Sequence, residues 1–147
     1  MNKEVHILLV EDNEGDIVLT REAMHEAQLH NKMDVARDGE EALQFLRKEG
    51  RFREAVTPDL ILMDINLPRL DGKEVLSIIK MDDFLKIIPV IMLTTSNSEK
   101  DVMESYLNHA NCYITKPVKL SDFMDVIHTI RDFWISIVKL PKTHDHE

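Results

Sequence analysis

The chain has a single cysteine, Cys112, among 147 residues. One thiol closes no internal disulfide and builds no zinc site, which excludes a disulfide scaffold and points to a reducing, cytoplasmic setting. Cys112 is expected to be a buried structural thiol. Long apolar stretches are missing too. No apolar run exceeds that of Ile7–Val10, far short of the roughly 20 residues a bilayer-spanning helix needs. The N-terminus, Met1 to His6, lacks the apolar stretch and small-residue cleavage site of a secretion signal. Positive charge is in deficit: 18 Lys and Arg face 27 Asp and Glu, a formal net charge of −9. Phosphate backbones and anionic lipid surfaces repel such a domain, so neither DNA nor a membrane is an expected partner. Internal repeats and low-complexity linkers are absent.

What remains is a chain of one domain's length, 44% apolar and 31% charged, enough for one hydrophobic core. Five short apolar runs punctuate it: Val5–Val10, Met33–Ala36 (the weakest), Leu60–Met63, Val90–Leu93 and Cys112–Ile114. Three are nearly continuous, the pattern of strands covered on both faces of a parallel sheet. Amphipathic stretches separate them. The first, from about Glu14 to Gln28, carries Ile17, Arg21, Met24 and Ala27. The second carries Ala42, Leu43 and Leu46 and is expected to stop at Gly50; the third carries Val75, Leu76 and Ile79. The fourth follows Ser98, a good N-cap, with Val102 and Tyr106. The fifth follows Ser121 and has the cleanest period: Phe123, Val126, Ile127, Ile130, Phe133, Trp134 and Ile137. The charged loop from Glu49 to Pro58 reads as a solvated excursion. This (βα)5 order predicts an α/β fold with a doubly wound five-stranded parallel sheet. The expected division is a single domain over residues 1–140 and a polar tail over 141–147.

Doubly wound sheets bind ligands outside the carboxyl ends of their strands. Glu11 and Asp12 end the first apolar run, and Asp64 ends the third. If those strands are neighbours, the three acids converge and need a cation. Oxygen ligands with room for water suit Mg²⁺, and a metal beside a carboxylate suits phosphoryl chemistry. Thr94 ends the fourth run with a hydroxyl donor, and Lys116 ends the fifth with a positive charge. Pro117 restricts the backbone at Lys116. An aspartate carboxylate that attacks the phosphorus of a phosphoryl donor, displacing the donor's leaving group, becomes an acyl phosphate, with the carboxylate as nucleophile.

Four segments carry a resemblance: Leu8-Leu9-Val10-Glu11-Asp12; Met63-Asp64-Ile65-Asn66-Leu67-Pro68-Arg69-Leu70-Asp71-Gly72; Pro89-Val90-Ile91-Met92-Leu93-Thr94-Thr95-Ser96; and Tyr113-Ile114-Thr115-Lys116-Pro117. In this order and spacing they resemble the signature segments of response-regulator receiver domains, over about Val5 to Ile130. The resemblance implies the flavodoxin-like receiver fold and a stand-alone regulator that takes a phosphoryl group from a histidine kinase and signals through a downstream protein. It implies that Glu11 and Asp12 hold Mg²⁺, that Asp64 is the phosphoacceptor and a metal ligand, and that Asn66 offers the metal its backbone carbonyl. Thr94 resembles the switch hydroxyl, Lys116 the active-site lysine and Tyr113 the aromatic that follows the switch. The acidic pair is Glu-Asp where many members have Asp-Asp, which implies altered metal geometry with binding retained. The Glu49–Pro58 loop and the end Phe133-Trp134…Leu140-Pro141 resemble regulators that partner bacterial phytochrome kinases.

Two other functions compete. An aspartyl-phosphate phosphohydrolase needs a proton-transferring acid two residues after its nucleophile, and Asn66 stands there. An interaction module that is never phosphorylated would be expected to lack Asp64 or Lys116. Only 17 residues follow Ile130, too few for a DNA-binding output fold, so output by protein contact is expected. Phe133, Trp134 and Ile137 look surplus to the core, and the expected cover is a second copy of the chain in a two-fold homodimer. His144 and His146 flank Asp145 in the tail and carry no assigned role.

Overall fold

Strands and helices alternate as β1 (Val5–Val10), α1 (Glu14–Glu26), β2 (Asn31–Ala36), α2 (Gly39–Arg47), β3 (Leu60–Asp64), α3 (Gly72–Met81), β4 (Val90–Thr94) and β5 (Cys112–Thr115), with a 3-10 turn at Gly50–Phe52. The computed structural model describes residues 5–26, 31–94 and 112–116, with 121 and 125. The helix expected after Ser98 lies outside the described residues, as do Phe133, Trp134, Ile137 and the 141–147 tail; of the fifth expected helix, Ser121 and Asp125 are helical and exposed.

The sheet is parallel, in the order β2-β1-β3-β4-β5. Side-chain alternation divides its residues into two cores. Leu8, Val10, Ile61, Met63, Val90 and Met92 face α2 and α3, packing with Ala42, Leu46, Val75, Leu76 and Ile79. Ile7, Leu9, Leu60, Leu62, Ile91, Leu93 and Ile114 face the other way, with Ile17, Ala23 and Met24 of α1. The continuous apolar runs of β1, β3 and β4 follow from burial on both faces. β2 pairs only with β1 and its described side chains are half-buried or exposed apart from Ala36, which is why its apolar signal is weak.

Three local expectations change. Arg21 is exposed, and the inward stripe of α1 is Ile17, Thr20, Ala23 and Met24. The Thr20 hydroxyl satisfies itself on the Asp16 carbonyl at 2.8 Å, so a polar residue can hold that inward position. α2 ends before Gly50: Lys48 takes the left-handed conformation (φ 58°, ψ 46°) at its C-cap. The stretch after Glu49 is not a free excursion, because Phe52 packs edge-on against Phe45 at 5.4 Å between centroids, with Arg51 over its outer face. Phe52 and Ala55 thereby cover the open side of the α2–α3 core.

Helix ends are fixed by their own acids. Asp38 caps α2 by accepting from the Glu41 amide at 2.7 Å. Asp71 and Glu74 form a reciprocal capping box at the start of α3. Asp82 accepts from the Phe84 and Leu85 amides and shapes the turn after α3. Lys80 closes that turn, its ammonium donating to the carbonyls of Lys86 at 2.9 Å and Ile88 at 2.7 Å. Burial lowers this ammonium from 10.5 to about 8. Between those two values the unfolded chain holds a proton that the folded chain has released, so this group's contribution to stability rises with pH across that window. Urea unfolding at about pH 7.5 and about pH 10 should move the difference between wild type and Lys80→Met in favour of wild type at the higher pH. A difference that stays constant would show the ammonium to be solvated.

Candidate functional site

The chain leaves β1 towards β2 on one side and later returns to β3 on the other, so a crevice opens between the carboxyl ends of β1 and β3. Glu11 continues β1 by one residue; its amide donates to the Ala36 carbonyl at 2.9 Å. Its parity is that of Ile7 and Leu9, so the side chain enters the α1 side of the sheet, where the residue is fully buried. Asp12 is exposed at the mouth. Asp64 closes β3 with the parity of Leu60 and Leu62, and is 4% exposed. One oxygen of each of Glu11, Asp12 and Asp64 lies within 4.8 Å of the others.

Lys116 follows β5, and its amide donates to the Thr94 carbonyl at 2.6 Å. From there its ammonium reaches Glu11 Oε1 at 2.7 Å, Asp16 Oδ2 at 2.8 Å and Asp64 Oδ2 at 3.0 Å. Burial acts to lower the Lys116 ammonium, but its bonds to Asp16, Glu11 and Asp64 prevail and hold it above its ordinary range. Glu11 responds oppositely. Burial pushes its carboxyl up from 4.5 to about 7; Lys116 opposes this, and Asp64 adds to it. The Asn13 amide donates to Glu11 Oε2 at 3.2 Å. Oε1 is within ion-pair reach of Lys116 yet has no aligned hydrogen-bond partner. A buried carboxylate oxygen without a directed donor, beside two other carboxylates, is a donor set suited to a hard divalent cation.

The loop after β3 holds Asp64 from behind. The Asn66 amide donates to Asp64 Oδ1 at 3.0 Å, and the Gly72 amide returns to the Ile65 carbonyl at 2.9 Å. A Cβ at Gly72 would land on the Asp64 carbonyl, so glycine is required for this close approach. Arg69 completes the loop in the left-handed conformation (φ 67°) and pairs with Glu40 of α2 at 3.1 Å. Thr94 is buried at the end of β4. Its parity is that of Val90 and Met92, opposite to Asp64. Tyr113 shares that face: it pairs with Met92 across the ladder and packs on the α2–α3 core. Structure therefore brings Glu11, Asp12, Asp64 and Lys116 together on the α1 side, with the Asn66 amide bonded to Asp64. Thr94 and Tyr113 stand on the reverse side of the same strand ends.

The family model of the response regulator receiver domain matches residues 7–128. This chain belongs to the response regulator receiver family. The receiver is 44% identical over 135 residues to response regulator Rcp1 of Synechocystis sp., covering 92% of each chain. Two solved structures are similar. The phosphorylated cyanobacterial phytochrome response regulator RcpA has a TM-score of 0.78 at 47% identity, over 92% of this chain and 96% of that one. The Mn(2+)-bound form of Rcp1 has a TM-score of 0.76 at 43% identity, over 88% and 94%.

Asp16 is the residue of this receiver's site that sequence reasoning missed. It lies in the first turn of α1, where acids are favoured by the helix dipole whatever else they do. Its closeness to Asp12, four residues earlier, was the available signal. The cluster also predicts a stability cost. With its carboxyl raised to about 7, Glu11 favours the fold at low pH, and that contribution is lost as pH rises from the unfolded value through the folded one. Without a divalent cation, Glu11→Gln should therefore stabilise the protein at about pH 8 by about 1–2 kcal/mol in urea unfolding, with the gain vanishing near pH 4.

Proposed function

We propose that this receiver accepts a phosphoryl group on the Asp64 carboxylate from a histidine kinase, with Mg²⁺ as cofactor, and passes the signal on by protein contact. The observation that carries this is the convergence of Glu11, Asp12 and Asp64 within 4.8 Å around a buried, charged Lys116. Glu11, Asp12, Asp64 and the backbone of Asn66 would hold the metal, which when bound supplies positive charge for the carboxylates and the phosphoryl oxygens.

The residues divide the remaining work. In the transfer, an Asp64 oxygen forms the new O–P bond while the donor's bond to phosphorus breaks and the leaving group takes its electron pair; no proton is needed from the protein. The Asn66 amide fixes Oδ1 and orients the carboxylate. Lys116 supplies a charge-assisted donor for a phosphoryl oxygen. Thr94 and Tyr113, sharing a face, turn phosphorylation into a change on the β4–β5 side: the Thr94 hydroxyl moves towards the new acceptor oxygens and Tyr113 follows into the vacated space. The protein is thus a phosphoacceptor that assists its own phosphorylation and dephosphorylation, working in the cytoplasm. Similarity to the cyanobacterial phytochrome response regulator RcpA supports a bacterial phytochrome as the kinase. The stripe of Phe133, Trp134 and Ile137 is assigned to a homodimer contact on the signalling side.

With acetyl phosphate and Mg²⁺, intact mass should show one added phosphoryl group in wild type and none in Asp64→Asn. Labelling of the Asn variant would move the site elsewhere. Asp12→Ala should weaken Mg²⁺ binding in calorimetry by about tenfold.

The switch has its own test. Thr94→Ala should take up the phosphoryl group yet lose the change in amide exchange over residues 112–116 that wild type displays. An exchange response equal to that of wild type would remove Thr94 from the switch.

A further inference from the structure

We propose that Asp16 is a positioning residue of the phosphoacceptor site: it ties the Lys116 ammonium towards α1 and competes with an arriving phosphoryl group for it. The inference rests on Asp64 being the phosphoacceptor and concerns what opposes that step.

Asp16 is not needed to cap its own helix. Asn13 caps α1, accepting from the Asp16 amide at 2.9 Å through its side chain and from the Ile17 amide at 3.0 Å through its carbonyl. The Asp16 carboxylate is left for a residue 100 positions away, reaching Lys116 Nζ at 2.8 Å. Lys116 does not need Asp16 to stay in the pocket either. Its backbone is tied to Thr94, and Glu11 and Asp64 hold its ammonium at 2.7 Å and 3.0 Å.

An ammonium has three N–H donors, and three carboxylates surround this one. A phosphoryl oxygen on Asp64 competes with these carboxylates for the ammonium, whose directed hydrogen bonds go to Asp16 and Asp64. The side chains of Glu11 and Asp64 are 1% and 5% exposed, whereas that of Asp16 is 26% exposed. Water can solvate Asp16 once it lets go, so Asp16 is the partner that yields. Until then its charge also repels the incoming anion. Asp16 therefore sets how much of the binding energy of a phosphoryl group is spent on freeing Lys116.

The probe is trifluoroberyllate, an anion that mimics the phosphoryl group without forming an acyl phosphate, titrated by calorimetry at saturating Mg²⁺. Asp16→Asn should bind it about fivefold more tightly than wild type at low ionic strength, with the gap narrowing as salt rises. Asp16→Glu, which restores the charge, should return the affinity towards wild type. Affinity in Asp16→Asn equal to or weaker than wild type would overturn the proposal, because the carboxylate would then be neutral or helpful. Wild-type protein that binds trifluoroberyllate in an Asp64-dependent way keeps the phosphoacceptor assignment intact in that event. Wild-type protein that binds none and takes up no phosphoryl group by mass would overturn both.

Discussion

A single ammonium, that of Lys116, stands between three carboxylates that would otherwise repel one another inside a nearly closed pocket. Its three contacts lie between 2.7 and 3.0 Å, and the side chain is 6% exposed. Removing such a charge from water is costly unless its partners are well placed. The rest of the fold supplies those partners from separate elements: Glu11 after β1, Asp16 in α1, Asp64 at the end of β3 and Lys116 itself after β5. None of these elements can shift without changing the balance at the ammonium.

The charges are left deliberately unequal. Glu11, Asp12, Asp16 and Asp64 outnumber the one lysine, so the pocket retains an appetite for positive charge. Burial concentrates that imbalance on Glu11, whose carboxyl is raised to about 7. A site so arranged is less stable alone than with a cation, a common relation between function and stability. The backbone absorbs the rest of the constraint. Gly72 lets the loop lie against the Asp64 carbonyl, and the Asn66 amide holds one carboxylate oxygen in place.

The two-sidedness of a strand puts the acidic cluster and the proposed switch residues on opposite faces. Carboxylates and lysine occupy the α1 side of the strand ends, while Thr94 and Tyr113 occupy the opposite side on β4 and β5. A change on one side reaches the other only across the thickness of one strand. Lys116 spans both: its side chain belongs to the pocket, and its amide is bonded to the carbonyl of Thr94.

Period and punctuation in the sequence determined the α/β class, the number of strands and their limits to within one or two residues, because continuous apolar runs are what burial on both faces demands. They also determined which residues end strands, and so which carboxylates, hydroxyl and lysine belong to one edge. Neighbouring strands were a matter for tertiary structure. Only the order β2-β1-β3-β4-β5 makes Glu11 and Asp64 adjacent. Local pattern missed what depends on contacts distant in sequence. Arg21 had the right spacing for the inward stripe of α1 but is exposed, and Phe52 looked like part of a solvated loop until Phe45 was found beside it. Asp16 shows the limit most clearly: a first-turn acid looks the same in sequence whether it caps a helix or holds a lysine 100 residues away. That choice is made by the approach of β5 to α1 across the sheet, which no local pattern encodes.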